Sequence, residues 1–514
     1  MEGDSSDMYK FSMKFDNDVK ASTSQAWITF FKSMFGAGIL ALPNVLNEVG
    51  IPLGIIIFSL ISVICSYSCN LLVESKRIAI ISQQRGENQT LYDTDTTDSL
   101  LPNEGDDEPI SSGSPCRVFG DSHTDRSKKI ITYGDVARTL IDERAEKTIQ
   151  FSIIFMHILF ATGLLICTQD VLENLLEYDG EYYRYIIGLV IFPIVSGLSQ
   201  ISWLQNMWQL SALALVTYIV GVIGCSLFSA LSQHGTDRPA PDDMWDFHWS
   251  GVWGFTGTSV YALEGIGLVL PTMHSMSEPK NASPVVCSGI ILYAFLTISY
   301  ATLVYAGGGG GLEKDDECDI VVNCIDPHGL RTAVSIALVS GLLMTHPVFL
   351  YPATQMLEVE LSGQSCDDQC HDHNNTISNT TLEPLIVVNQ HSASAEVISN
   401  DNNNLECLPE DSVSVNSLRI VKKNRLLRVS LCFATVLIGT IVHSFDSFSA
   451  LVGSVFLSLA GFILPSILYY KALEIEYEES IPIFITAKLF LLFTFGIVLM
   501  LFGGTTAFID LVGG

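Results

Sequence analysis

Apolar positions along this 514-residue chain do not alternate with polar ones. They gather into runs near twenty residues long, separated by short polar stretches and two long ones. Coiled as a helix at about 1.5 Å per residue, such a run matches the hydrocarbon thickness of a bilayer. The runs lie near 26–46, 51–73, 149–176, 185–201, 208–231, 250–274, 285–306, 332–357, 427–445, 449–470 and 482–508, and they predict eleven transmembrane helices. The first 25 residues are polar, with Lys10, Lys14 and Lys20, and no cleavage-like tripeptide follows the first run. That run is therefore expected to be a retained helix.

Two of the runs are interrupted in the same way, at Gly36-Ala37-Gly38-Ile39-Leu40-Ala41-Leu42-Pro43 and at Gly265-Ile266-Gly267-Leu268-Val269-Leu270-Pro271. A glycine costs a helix about 1 kcal/mol against alanine, and proline removes a donor and crowds the preceding turn. Opened backbone is tolerated at membrane depth only where it is buried in protein or lines a cavity. A matched pair of interrupted segments in two halves of a chain points to the binding site of a secondary transporter.

Composition agrees with a membrane body, at 48% hydrophobic and 16% charged residues. The acidic residues behind the formal charge of −29 concentrate in the N-terminal tail and in two polar stretches, 82–128 and 361–418, both expected to be disordered. The chain thus divides into a tail (1–25), helices 1–2 (26–81), an acidic loop (82–128), helices 3–8 (129–360), a second acidic loop (361–418) and helices 9–11 (419–514). Residues 132–147 form a short amphipathic helix ahead of span three. With the N-terminus in the cytosol, only Arg184, Arg238, Lys314 and Arg331 of the 26 basic residues fall on the far side, and Lys32 and Lys488 lie within spans. The cluster Arg419, Lys422, Lys423, Arg425, Arg428 is cytosolic in that orientation, and the C-terminus is not. No basic stripe suggests nucleic acid, no motif suggests a cofactor, and lipid is the expected surrounding.

The 12 cysteines do not form a disulfide framework. Several lie inside apolar runs, where a thiol is a small hydrophobe. Cys318 and Cys324 share a non-cytosolic loop and are the disulfide candidate. Cys366, Cys370, His371 and His373 carry metal-ligand chemistry without a zinc spacing, so no metal site is expected. The sequons at Asn88, Asn374 and Asn379 fall in loops expected to be cytosolic and therefore unglycosylated.

The stretch Ser24–Gly50, SQAWITFFKSMFGAGILALPNVLNEVG, resembles helix one of the amino acid/auxin permease family. Tyr261–Pro271, Phe448–Tyr470 and Gly504–Val512 are similar to later helices of its proton-coupled and vacuolar amino acid transporter branches. The resemblance implies an all-α integral membrane protein of eleven helices, with a five-plus-five inverted repeat like the bacterial leucine transporter and broken helices 1 and 6.

The residues allow that chemistry. A zwitterionic amino acid carries two charges that are costly to desolvate. Unwinding at Phe35, Gly36, Ala37 and Gly38 frees N–H groups at the positive end of a half-helix, facing a carboxylate. Carbonyls near Phe35 and around Tyr261, Glu264, Gly265 and Gly267 can accept from the ammonium. Either glycine pair alone serves close helix packing equally well. Glu264 is the first coupling-ion candidate, as an ionisable residue inside a span, or else a structural tie of its own broken helix. Lys32 either pairs with it or snorkels.

The family's proton-coupled members carry a histidine three residues before this lysine; here it is Thr29, so coupling through that imidazole is unavailable. His346 is a second titrating candidate, and Thr345 a sodium-site candidate between helices one and eight. His157 and His443 rank lower, and Gln169-Asp170 could face the cavity. Two readings follow. One is a carrier of amino acids, neutral ones given a small glycine-lined site, driven by protons or sodium, in a vacuolar or lysosomal membrane first and the plasma membrane second. The other is a sensor of the same fold that signals through its acidic loops. No phosphate-binding loop, nucleotide fingerprint or nucleophile elbow suggests an enzyme.

Overall fold

The computed structural model describes the backbone of residues 21–98, 132–176, 181–200, 204–232, 244–263, 265–309, 328–371, 410–477 and 480–513, and of Val322. Among these residues the regular structure is helical, and one isolated parallel bridge joins Ala21 to Met276.

Helix α1, Thr23–Ser33, starts at a reciprocal cap: Gln25 N–H donates to the Ser22 hydroxyl at 3.3 Å, and Ser22 N–H to the Gln25 side chain at 2.9 Å. The chain then opens and resumes as α2, Gly38–Leu46, bent by 53° from α1. Further on, α8 (Val252–Ala262) stops at Leu263 and α9 (Ile266–Ser275) begins after Gly265. Both prolines lie inside the second halves, Pro43 in α2 and Pro271 in α9, so each break falls upstream of its proline, at the glycines.

The remaining helices are α3 (Ile51–Asp98), α4 (Tyr133–Leu140), α5 (Glu143–Leu176), α6 (Glu181–Ser199), α7 (Leu204–Ser232), α10 (Ala282–Val304), α11 (His328–His371), α12 (Glu410–Ile441), α13 (Phe445–Val452), α14 (Leu464–Glu476), α15 (Ile483–Val498) and α16 (Gly504–Gly513). Nine spans among the described residues are long and apolar enough to cross a bilayer, and the bent α1–α2 pair makes ten. The predicted run 250–274 is the two short helices α8 and α9. Leu189, Val216, Ile291, Phe295, Phe490 and Leu491 present large apolar side chains outward, more than a water-facing surface carries. The protein is a multi-pass membrane protein.

Several boundaries differ from the apolar pattern. Helix α3 continues to Asp98, α11 to His371, and α12 begins at Glu410, all inside stretches read as loops. Once nucleated, a helix gains a hydrogen bond with each residue added, so it runs on past the apolar run that anchors it. The segment 132–147 splits: α4 ends at Leu140, and Asp142 accepts from Ala145 N–H at 2.7 Å to start α5. Span nine ends early, at Ile441, because Ser444 caps α13 by accepting from Ser447 N–H at 3.3 Å.

The broken helices cross in pairs. Ala21 N–H donates to Ser275 C=O at 2.8 Å and Ser277 N–H to Ala21 C=O at 2.9 Å, tying the start of α1 to the end of α9. Trp27 reaches Ser288 of α10 at 2.9 Å, and Lys76 of α3 donates to Leu270 C=O of α9 at 3.2 Å. Around them stand α5, α6, α11 and α12, packed on one another. In α5 78% of the membrane window is buried, against 22% for the α15–α16 span, so α5 runs through the centre and α15–α16 along the edge. Between α13 and α14 the chain makes two π-helical stretches, Gly453–Leu457 and Leu459–Ile463. Tyr133 OH donates to Ala460 C=O at 2.8 Å and Ser68 to Gly461 C=O, satisfying carbonyls in the wider turns.

Candidate functional site

The two breaks line one narrow cavity. Met34, Gly36, Ala37 and Gly38 form one wall and Tyr261 and Ala262 another, with Phe160 and Leu164 of α5 and Phe349 of α11 closing it. Four residues expected from the sequence, Gly36, Ala37, Gly38 and Tyr261, are thus brought together.

The glycine pair divides its labour. A Cβ on Gly36 would make ordinary contact, 3.8 Å from Phe349 Cζ, so the glycine leaves room. A Cβ on Gly38 would fall 2.6 Å from Ala262 Cα. Gly38 is therefore required by the close approach of α2 to α8, the packing role weighed for such pairs. The Gly36 carbonyl, freed by the break, accepts from Tyr218 OH of α7 at 2.7 Å. Ala37 caps α2 without a side-chain bond. Among the described residues nothing accepts from the Gly36 and Ala37 N–H groups. Unpaired donors at the positive end of a half-helix favour an anionic group beside the cavity.

The remaining walls are aromatic. Tyr261 stacks on Phe160 with centroids 4.7 Å apart, and Phe160 on Phe349 at 6.0 Å. Tyr261 also meets Phe445 edge-on at 6.1 Å. Such a chamber offers polar backbone to a substrate's charged end and apolar surface to its side chain.

Other expected residues lie elsewhere. Phe35 turns away from the cavity and packs edge-on against Tyr218 and Tyr293, at 6.3 and 5.2 Å. Gly265 lines a second narrow cavity with Cys65 and Cys69 of α3 and Gly461. Gly267 abuts His157 of α5. His346 does not line the cavity: its Nε2 lies 3.1 Å from the Thr435 hydroxyl of α12. Thr345 donates to Gly341 C=O of its own helix at 2.7 Å. Asp170 pairs with Arg184 at 2.7 Å, and Gln169 donates to Thr440 at 3.1 Å, so both tie helices rather than face the chamber. Glu264, Cys318 and Cys324 lie outside the described residues, as do the side chains of Cys366, Cys370, His371 and His373.

Phe160, Leu164, Phe349 and Met34 were not singled out from the sequence. Phe160 and Leu164 stand four apart on one face of α5, but in a helix that is apolar all round that spacing carries no signal.

A model of the family described as transmembrane amino acid transporter protein matches residues 19–93 and 116–509, which include both breaks and every described wall of the cavity. The chain belongs to this family. Vacuolar amino acid transporter 3 of Saccharomyces cerevisiae is 23% identical over 346 residues, covering 66% of this chain and 42% of that one. Vacuolar amino acid transporter 4 of the same yeast is 22% identical over 346 residues, 66% of this chain and 40% of its own. Amino acid transporter AVT3C of Arabidopsis thaliana is 22% identical over 363 residues, covering 66% of this chain and 71% of that one. The chain thus spans about two fifths of the yeast relatives' length. This family and these relatives are transporters, not enzymes.

Proposed function

We propose that this chain is a secondary active transporter of neutral amino acids, coupled to protons and working by alternating access in a vacuolar or lysosomal membrane. The observation that carries it is the chamber between the two breaks, with the Gly36 and Ala37 N–H groups unpaired at its edge. The substrate carboxylate takes these donors, its ammonium takes carbonyls at the second break, and its side chain lies along Tyr261, Phe160 and Phe349. The small chamber and its apolar walls favour neutral side chains. On this reading the chain is an eleven-helix inverted repeat, with α1–α2 and α8–α9 as the corresponding first helices of its two halves. Basic-residue placement puts the N-terminus in the cytosol and the C-terminus across the membrane.

For the coupling ion, Glu264 is the candidate retained from the sequence. His346 contacts the Thr435 hydroxyl and Thr345 donates to Gly341 C=O, and neither lines the chamber. The test is uptake into proteoliposomes of a radiolabelled panel of amino acids, with and without an inward-acidic pH gradient, in sodium and in potassium. Concentrative uptake that needs the gradient and not sodium supports the reading. Binding without turnover would make the protein a sensor, and sodium dependence a sodium-coupled carrier.

A further inference from the structure

His157 of α5 is 1% exposed, and both its ring nitrogens are without a hydrogen-bond partner among the described residues. Buried polar atoms are almost always paired, and an orphan marks a functional group or a place for water. Its position is specific. A Cβ on Gly267 would stand 3.0 Å from His157 Nε2, so the ring lies against the first turn of α9. That helix starts at Gly265 with no side-chain cap, leaving its first N–H groups pointing out of its end. His157, Phe160 and Leu164 are spaced three and seven apart, which places them on one stripe of α5. The imidazole therefore sits about one turn, roughly 5 Å, along the helix from the cavity wall.

We propose that His157 is a proton-exchanging residue of the transport cycle, placed between the substrate chamber and the first turn of α9. This rests on the proton-coupled reading above. In one orientation of the carrier, water reaching the ring brings a hydronium ion; its proton goes to the vacant imidazole nitrogen and water leaves. In the other orientation the imidazolium returns that proton to water. Nothing is oxidised or reduced, and the ring ends as it began. Imidazole suits the task because either ring nitrogen can take up or release a proton while the ring keeps its shape.

The charged and titratable groups around it are engaged elsewhere or distant. On α5 itself Lys147 and Asp170 are ten and thirteen residues away, about 15 and 20 Å along the helix. On α9, His274 lies two turns beyond Gly267, and Lys76 of α3 donates to Leu270 C=O. On α11, Glu358 is held by Arg428 at 2.7 Å. Asp446 of α13 accepts from Asn44, and Asp135, Arg138 and Glu146 form a cluster at the α4–α5 junction. Glu264, two residues before α9, is the other coupling candidate.

The experiment compares the parent with His157→Gln in proteoliposomes, using radiolabelled alanine, serine and leucine. Two quantities are read: counterflow exchange at equal pH, and accumulation driven by a pH gradient. The expected result is exchange within twofold of the parent and a loss of at least tenfold in gradient-driven accumulation. Unchanged accumulation overturns the role of His157 alone, and loss of both exchange and accumulation makes the ring structural. A parent without gradient-driven accumulation overturns proton coupling, and this inference with it. Should His157→Gln fail to fold, Gly267→Ala keeps the imidazole but crowds its Nε2. The pH midpoint of uptake should then move by about half a unit or more; an unmoved midpoint overturns the proposal.

Discussion

Arg184 Nη1 lies 2.7 Å from Asp170 Oδ1, with 3% and 10% of the two side chains exposed. The same guanidinium reaches Glu173 at 3.2 Å and the Val442 carbonyl at 2.7 Å, where α12 ends. One cation thus joins α5, α6 and the C-terminal end of α12, and meets the negative end of that helix's dipole. Removing it strands Asp170 in a dry interior. Arg184→Met is expected to cost about 3–5 kcal/mol. Thermal unfolding in detergent measures it, and adding Asp170→Asn should restore part of the loss. A double variant no more stable than the single one would refute the pairing argument.

The two glycines of the first break should separate in a mutational test. Gly36→Val has room for its first carbon and projects into the chamber, so it should fold normally and lose amino acid binding. Gly38→Ala presses on Ala262 and should lower stability by about 1–3 kcal/mol. Thermal midpoints together with ligand-induced stabilisation distinguish the two. Equal destabilisation by both would contradict the division of roles.

Glu48 follows α2 and lies across the start of α8, with Oε2 3.2 Å from where a Gly254 Cβ would stand. The residue as a whole is exposed, while its carboxyl is crowded by the start of α8. Withdrawal from water and, second, the Asp510 charge push its pKa up from 4.5 to about 7. The folded state therefore binds this proton more tightly than the unfolded chain does. The stabilisation is fully present below pH 4.5 and is lost as pH rises through 7. The expected trend is a thermal midpoint that falls across this window, with a shallower fall in Glu48→Gln. An identical slope in the variant would remove Glu48 as its source.

Glu264→Gln keeps the shape and most of the hydrogen bonding of the carboxyl while removing its titration. If Glu264 carries a coupling proton, the variant should still exchange substrate but lose accumulation against a gradient. Unchanged accumulation would leave this residue a structural role only.

Helices came readily from the sequence because membrane-length apolar runs permit little else. The breaks were legible for a similar reason: G-x-G is a costly choice inside a span and invites an explanation. What escaped was anything defined by contact between distant apolar positions. Phe160 and Phe349 face the chamber, yet each sits among equally apolar neighbours. Asp170 and Arg184 lie on successive helices, and nothing in their spacing along the chain marks them as a pair. The prolines do not mark the openings themselves, since Pro43 and Pro271 sit within their half-helices and the openings fall upstream of them.

The backbone bonds between Ala21 and the Ser275–Ser277 segment link the outer ends of the two interrupted helices. Two chain segments sewn together at one end cannot tilt separately. Any swing of α1 drags α9 with it, as two prongs of one lever. The chamber lies beside the two breaks, lined by Gly36 and Ala37 on one side and Tyr261 and Ala262 on the other. On the transport reading proposed above, a substrate lodged there touches both breaks at once, so its shape sets how far the joined segments travel.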